Sequence, residues 1–317
     1  MAELMFAANP LAGAGLSARA ADVARRVADV VQTHCSTGSG AAETVAFLRE
    51  WADSNGPGYE PQVGPLDLLA MRFDLTPEEC DLVLLAGLPD EHEGVASTMR
   101  SLHPLAEPWP TVGLAALVLG GTGADRVQLR GLLSDGAAVR HRLVHVVGTG
   151  SFFERSLLLP DRLWDALHGY DAWPADLPRV LVDPPPPGLA SWLRTDQASA
   201  AIRILREDRK AVVIVQDDDE TVGRARCSAL ARAAGRELAA ARIGVGDGPR
   251  IALLAAHAAA RGAVAMIVAA PPVDGSADRL AVADAPGAIL VCAAPGAVRA
   301  APDRAVLALV AGPVGAH

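Results

Sequence analysis

The chain reads as an α+β domain of short helices and one β-hairpin, followed by an α/β domain with a parallel sheet of about five strands. Three observations carry this. Between residues 65 and 168 the apolar period is helical, punctuated by strong helix starts, and then turns strand-like around Gly148-Thr-Gly-Ser151, a hairpin signal. The run Asp183-Pro-Pro-Pro-Pro-Gly188 is a stiff, polyproline-like linker. Beyond it, β-branched apolar runs alternate with alanine-rich helices, the order of a parallel βαβ sheet. A length of 317 residues also suits two main domains at ~100–200 residues each. The resulting division is a helical segment over 1–60, the α+β domain over 61–182, the linker over 183–190 and the α/β domain over 191–317.

In the N-terminal segment, Ser17 is expected to cap a helix over Ala18–Thr33, with Val23, Val27, Val30 and Val31 on one stripe. A second helix, Ala41–Ala52, brings Val45, Leu48 and Trp51 together, and residues 56–61 form a linker. The α+β domain opens with a helix over Leu66–Phe73. Thr76-Pro-Glu-Glu79 combines an N-cap, a first-position proline and acids on the helix dipole, and leads into Cys80–Ala86. Further helices are expected over Glu91–Leu102, over Val112–Leu119 behind Thr111, and over Ala124–Leu133 after the Gly120–Gly123 break. Arg142–Val147 and Phe152–Leu159 make the hairpin, and Pro160-Asp161 opens a last helix, Arg162–His168. Short helices closed by a hairpin describe a winged-helix-like domain.

In the α/β domain, strands are expected at Val212–Val215, Leu238–Ile243, Ala263–Val268, Ala288–Val291 and Ala305–Val310. Helices fall at Ser199–Arg206, Arg224–Ala234 and Gly248–Arg261. The stretch from the first strand into its helix is the informative one. A buried strand, a short polar turn and a helix make the place where a nucleotide-binding domain keeps its phosphate loop. A working loop needs backbone N–H groups that cradle phosphates and a lysine that reaches the β/γ oxygens. Here Asp217, Asp218, Asp219 and Glu220 replace the glycines, and Arg224 follows Gly223 where the lysine would stand. Lys210 is the only lysine in the chain, and it precedes the strand. The sheet is therefore read as RecA/P-loop-like with a degenerate loop, Gly223 and Arg224 marking the remnant of its cofactor-binding position.

The rest of the catalytic equipment is missing too. The strand ending at Val268 runs into Ala269-Ala-Pro-Pro272, with no carboxylate before Asp274 to hold Mg²⁺. Ile289–Cys292 ends in Ala293-Ala294, where a polar sensor would be expected. No catalytic residue is assigned, and no cofactor is expected in this chain. No G-x-G-x-x-G follows the first strand, which disfavours a dinucleotide site.

Composition excludes further classes. A net charge of −9 argues against a general nucleic-acid binder, whose affinity comes from phosphate neutralisation. Cys35, Cys80, Cys227 and Cys292 show no C-x-x-C spacing, so each reads as a small buried apolar residue in a reducing cytosol. His141 and His145 fall on one face of an expected strand, an ordinary half-buried sheet face, and no metal ligands are assigned. With neither a signal-peptide pattern nor a long apolar run, the expected location is cytoplasmic, without membrane contact.

Phe73-Asp-Leu-Thr-Pro-Glu-Glu-Cys-Asp-Leu-Val-Leu-Leu85, Pro110-Thr-Val-Gly-Leu-Ala115, Phe152-Phe-Glu-Arg-Ser-Leu-Leu-Leu-Pro160, Leu163-Trp164 and Asp171-Ala-Trp-Pro174 together carry a resemblance. The chain resembles the N-terminal region of a bacterial AAA+ ATPase family encoded with contractile, phage-tail-like injection systems, over roughly 65–317. The resemblance implies a winged-helix-like domain and a degenerate ATPase domain, ahead of an AAA+ module that binds ATP and Mg²⁺ through working Walker motifs. That module would follow the fifth strand, so none of the family's catalytic residues falls on this sequence. The expectation is a non-catalytic N-terminal half that acts through protein partners, either injection-system components or self-association, and not through nucleic acid. One alternative is a winged-helix transcription regulator, which needs a basic recognition helix. Glu91, Glu93 and Arg100, the charges on helices 91–102 and 112–119, do not favour it. A nucleotide-binding module of unrecognised type is the other. The expected contact points are the wing around Gly148–Ser151 and the Phe152–Phe153 pair, of which alternation exposes one ring.

Overall fold

The computed structural model describes residues 10–34, 39–56, 63–270, 279–282, 285–300 and 304–310. Cys35, Asp274 and residues 57–61 of the first expected linker lie outside these. The chain packs as two compact units, Met1–Ala172 and Trp173–His317.

The first unit begins with α1 (Pro10–His34) and α2 (Ser39–Asn55), which pack on each other. Val23, Val27 and Val31 are buried on the expected stripe, and Val30 sits half-buried at its margin. Ser17 lies inside α1 and caps nothing, because the helix already begins at Pro10. Ion pairs Arg19–Asp67 (2.7 Å) and Arg26–Asp81 (2.6 Å) tie α1 to α3 (Pro65–Phe73) and α4 (Pro77–Gly87).

The start of α4 is the capping box its sequence announces. Glu79 N donates to Thr76 Oγ1 (3.3 Å), and Thr76 N donates to Glu79 Oε2 (3.0 Å). A 3-10 turn over Leu88–Asp90 delays α5 to Glu93–Leu102, with His92 as its cap. α6 (Val112–Val118) and α7 (Gly123–Asp135) are joined by a tight turn in which Gly120 and Gly121 take φ of 153° and 79°, values open to glycine. After the short α8 (Ala137–Arg140), β1 (His145–Val147) and β2 (Ser156–Leu158) pair antiparallel, and Thr111 bridges Ser156. α9 (Leu163–Leu167) closes the unit.

The hairpin is shorter than its apolar runs suggest. Residues 152–154 form a 3-10 turn, with Ser151 N donating to Glu154 Oε2 (3.0 Å), so Phe152 and Phe153 are not strand residues. His141 ends α8 and packs edge-on against Phe73, while His145 opens β1. The two histidines therefore share no strand face.

In the second unit, α10 (Ala190–Leu193) and α11 (Asp196–Glu207) lead into β3 (Ala211–Gln216), α12 (Glu220–Ala234) and β4 (Leu238–Ile243). Then come α13 (Gly248–Ala260), β5 (Val264–Ala269), β6 (Leu280–Val282), β7 (Ile289–Ala293), β8 (Val298–Ala300) and β9 (Ala305–Val310). Five strands form one parallel sheet in the order β4-β5-β7-β3-β9. β3 is buried along five of its six residues, as its unbroken β-branched run requires. Gly235 ends α12 in the left-handed region at φ 72°. The parallel pair β6–β8 has no counterpart in the sequence pattern, since runs of three residues carry no readable period. No helix among the described residues is long and apolar enough to cross a membrane.

Candidate functional site

Two places could carry function: the carboxyl end of β3 and the face of α7. From β3 the chain crosses to β4 at the far edge, returns through β5 and β7, and passes β3 again to reach β9. This reversal makes the carboxyl end of β3 the switch point, where open α/β sheets hold their ligands.

The acids at that point are built into the fold. Asp217 Oδ2 accepts from Arg226 Nη1 at 2.6 Å, with the arginine side chain 3% and the carboxylate 13% exposed. The other oxygen, Asp217 Oδ1, accepts from Asp219 N (3.0 Å). Asp219 caps α12, accepting from Thr221 N (2.8 Å) and Val222 N (3.3 Å). Glu220 takes both guanidinium nitrogens of Arg242, at 2.6 and 2.8 Å, and that hydrogen bonding holds its carboxyl below the usual carboxylate range. Asp218 is exposed. Because Glu220 keeps its proton off more readily when folded, the pair contributes stability above about pH 4.5 and loses it as the pH falls further.

Gly223 and Arg224 lie in the first turns of α12. A Cβ on Gly223 would stand 2.7 Å from Cys292 Sγ and 3.3 Å from Asp217 Cβ, so the glycine lets α12 approach β7 closely. Arg224 Nε lies 3.7 Å from Glu220 Oε1. One turn further on, burial pushes the Cys227 thiol up, and the Cys292 thiol donates to Glu220 O at 3.8 Å.

The second place is a helix–turn–helix, α6 followed by α7, with the β1–β2 hairpin beside it. On α7, Val127 is 74% exposed, with Gln128, Arg130 and Gly131 around it. The two arginines of α7 lean on the hairpin turn: Arg130 Cζ stands 4.3 Å from the Phe152 ring centre and Arg126 Cζ 5.1 Å from that of Phe153. The rings pack edge-on at 5.4 Å, and both are half-buried. Alternation does not separate them, because they stand on a 3-10 turn. The charges that bear on nucleic-acid binding also stand elsewhere than on helices 91–102 and 112–119, since the second helix of the motif is α7. Two caps, Thr111 and Thr122, around a short apolar run and a Gly-Gly break were the signal for it.

A family model described as "Winged helix domain, variant" matches residues 59–180. The chain carries a winged helix domain. No curated protein and no solved structure matches the chain. Among the described residues, no group of three or more His, Cys, Asp or Glu side chains could hold a metal ion.

Within the winged helix, one polar cluster has the residue types of a hydrolase. His103 Nε2 lies 3.0 Å from Ser156 Oγ, which donates to Glu107 Oε2 at 2.8 Å. Its polarity is reversed, however. Leu105 N donates to His103 Nδ1 (3.0 Å), so the neutral ring carries its proton on Nε2 and donates to the serine. The imidazole has no lone pair free to activate Ser156, which is 2% exposed. The cluster instead pins the end of α5 to β2. Ser156→Ala should leave the buried imidazole donor without its acceptor and cost about 1–3 kcal/mol, read as a lower denaturant midpoint at unchanged slope.

Proposed function

We propose that this chain is a non-catalytic, protein-contacting module. Its winged helix meets a protein surface, and its α/β domain is a P-loop-like unit whose phosphate position is filled by the chain's own ion pairs. On this reading it corresponds to the N-terminal half of an AAA+ ATPase-like protein of a contractile injection system, working in the cytoplasm. ATP and Mg²⁺ would then belong to a separate module.

The observation that carries this is the state of α7. A helix that reads DNA needs cations free to reach phosphates and base edges. Arg126 and Arg130 stand over phenylalanine rings, Asp125 caps the helix through Thr122, and the uncharged Val127 is 74% exposed. Exposed apolar side chains beside aromatic and arginine groups suit a protein interface.

The test pairs the full chain with purified injection-system components and, separately, with duplex DNA at ~50 mM salt, where phosphate-driven binding is strong. Binding to a component that Val127→Glu weakens at least ~10-fold, with the melting temperature unchanged, is the expected result. DNA binding whose affinity falls linearly with log salt, and which Arg126→Ala and Arg130→Ala weaken, would replace this reading with that of a transcription regulator.

A further inference from the structure

The two edges of the five-stranded sheet are treated differently. The β4 edge is covered by the chain itself. Arg179 bridges Ala241, Val180 N donates to Ala240 O (2.9 Å), and Arg242 N donates to Pro178 O (2.9 Å). β9 pairs with β3 along its whole length, from Ala211 opposite Ala305 to Gln216 opposite Val310, and among the described residues no strand pairs with its outer side.

An outer strand presents unpaired N–H and C=O groups at alternate residues, and proteins blunt such an edge with charge, proline or a bulge. β9 has none of these. It reads Ala305-Val-Leu-Ala-Leu-Val310, in unbroken register. The adjoining charge, Arg304, is 5% exposed and turns inward to the carbonyls of Ala285 and Gly287. Leu307 and Leu309 face the core shared with α11. On the opposite face Ala308 is exposed, with Val306 at 49% and Val310 at 67%.

We infer that β9 is a docking edge for a second copy of this chain, the two strands pairing antiparallel about a two-fold axis at Ala308. An uncharged, regular edge is complemented by an uncharged, regular strand, and β9 itself has that character. Directly opposed residues lie on the same side of a sheet, so a register that keeps both exposed faces together must pair residues of like parity. Centring it on Ala308 sets Val306 of each copy against Val310 of the other, Ala308 against itself, and Leu307 against Leu309. Every cross-strand pair is then apolar, and no like charges meet. The interface is isologous and closes at two copies, joining two five-stranded sheets into one.

Sedimentation equilibrium of the full chain from about 1 to 500 μM should show a monomer–dimer equilibrium. Ala308→Lys places two ammonium groups face to face and should raise the dimer Kd at least about tenfold, with the far-UV spectrum unchanged. Ala308→Cys should give a covalent dimer on mild oxidation, and Val306→Cys alone should not. A chain that stays monomeric throughout that range overturns the proposal. So does a dimer that survives Ala308→Lys, or one in which Ala308→Cys fails to cross-link. Should the lysine variant misfold, the cysteine pair decides alone.

Discussion

Glu79→Ala is expected to lower the stability of the first unit by roughly 2–4 kcal/mol, through two helix starts at once. Glu79 is 2% exposed, yet it is a carboxylate. One oxygen accepts from Thr76 N and completes the cap of α4. The other accepts from Ala138 N at 2.9 Å, inside the first turn of α8. Charge-assisted bonds to backbone N–H groups are the stronger kind, and both oxygens point at helix N-termini, where negative charge is favoured. Removing the side chain orphans a buried N–H on α8 and takes away the half of the α4 capping box in which Thr76 N is the donor. Glu79→Gln keeps an acceptor and the side-chain volume, so it should lose about half as much. A fall in melting temperature of about 2–4 °C per kcal/mol would register the series. If alanine and glutamine cost the same, the charge and the second acceptor oxygen carry the whole effect, whereas a glutamine variant as stable as the parent would show that the burial is purely steric. α8 precedes the hairpin, so this variant should also weaken partner binding, but together with the melting temperature. Val127→Glu is expected to separate the two.

The half of that contact visible in the sequence is local. Thr76-Pro-Glu-Glu79 announces a capping box because all its members lie within four residues. The bond to Ala138 spans 59 positions, and no pattern near Glu79 signals it. The same divide runs through the second unit. The strand from Ala211, the helix behind it and its closure at Gly235 were legible as period, propensity and a glycine stop. The meaning of the acids at 217–220 was not. An acidic run reads the same whether its charges face solvent or are paired. Arg226 stands two turns along the following helix, and Arg242 reaches Glu220 from β4. The two phenylalanines fell to the same limit. Their run looked like strand, but Glu154 closes a turn on Ser151 and carries both rings to the arginines of α7.

Asp217→Ala and Asp218→Ala should therefore behave very differently, although the residues are neighbours of one type. Were the acidic run present only to repel phosphate, the two would be equivalent, each removing one solvated charge at less than about 1 kcal/mol. In the structure, Asp217 Oδ2 holds a guanidinium that is 3% exposed and stands 5.6 Å from the Trp192 ring. Deleting that carboxylate leaves a buried charge without its ion-pair partner, which typically costs about 3–5 kcal/mol. Asp217 also accepts from Asp219 N, so the cap of α12 loses its support in the same step. Asp218 is exposed, and its removal should fall within about 0.5 kcal/mol of no change. Denaturant unfolding followed by tryptophan fluorescence suits the measurement, because Trp192 lies against the arginine concerned. Changing both partners, Asp217→Asn with Arg226→Met, should recover much of the loss, since a buried pair can often be replaced by neutral groups of similar volume. Equal effects at 217 and 218 would show that the Asp217–Arg226 pair does not hold in solution. The acids would then be free to act on a ligand, and nucleotide binding by Asp217→Ala, read by calorimetry, would become the result to look for.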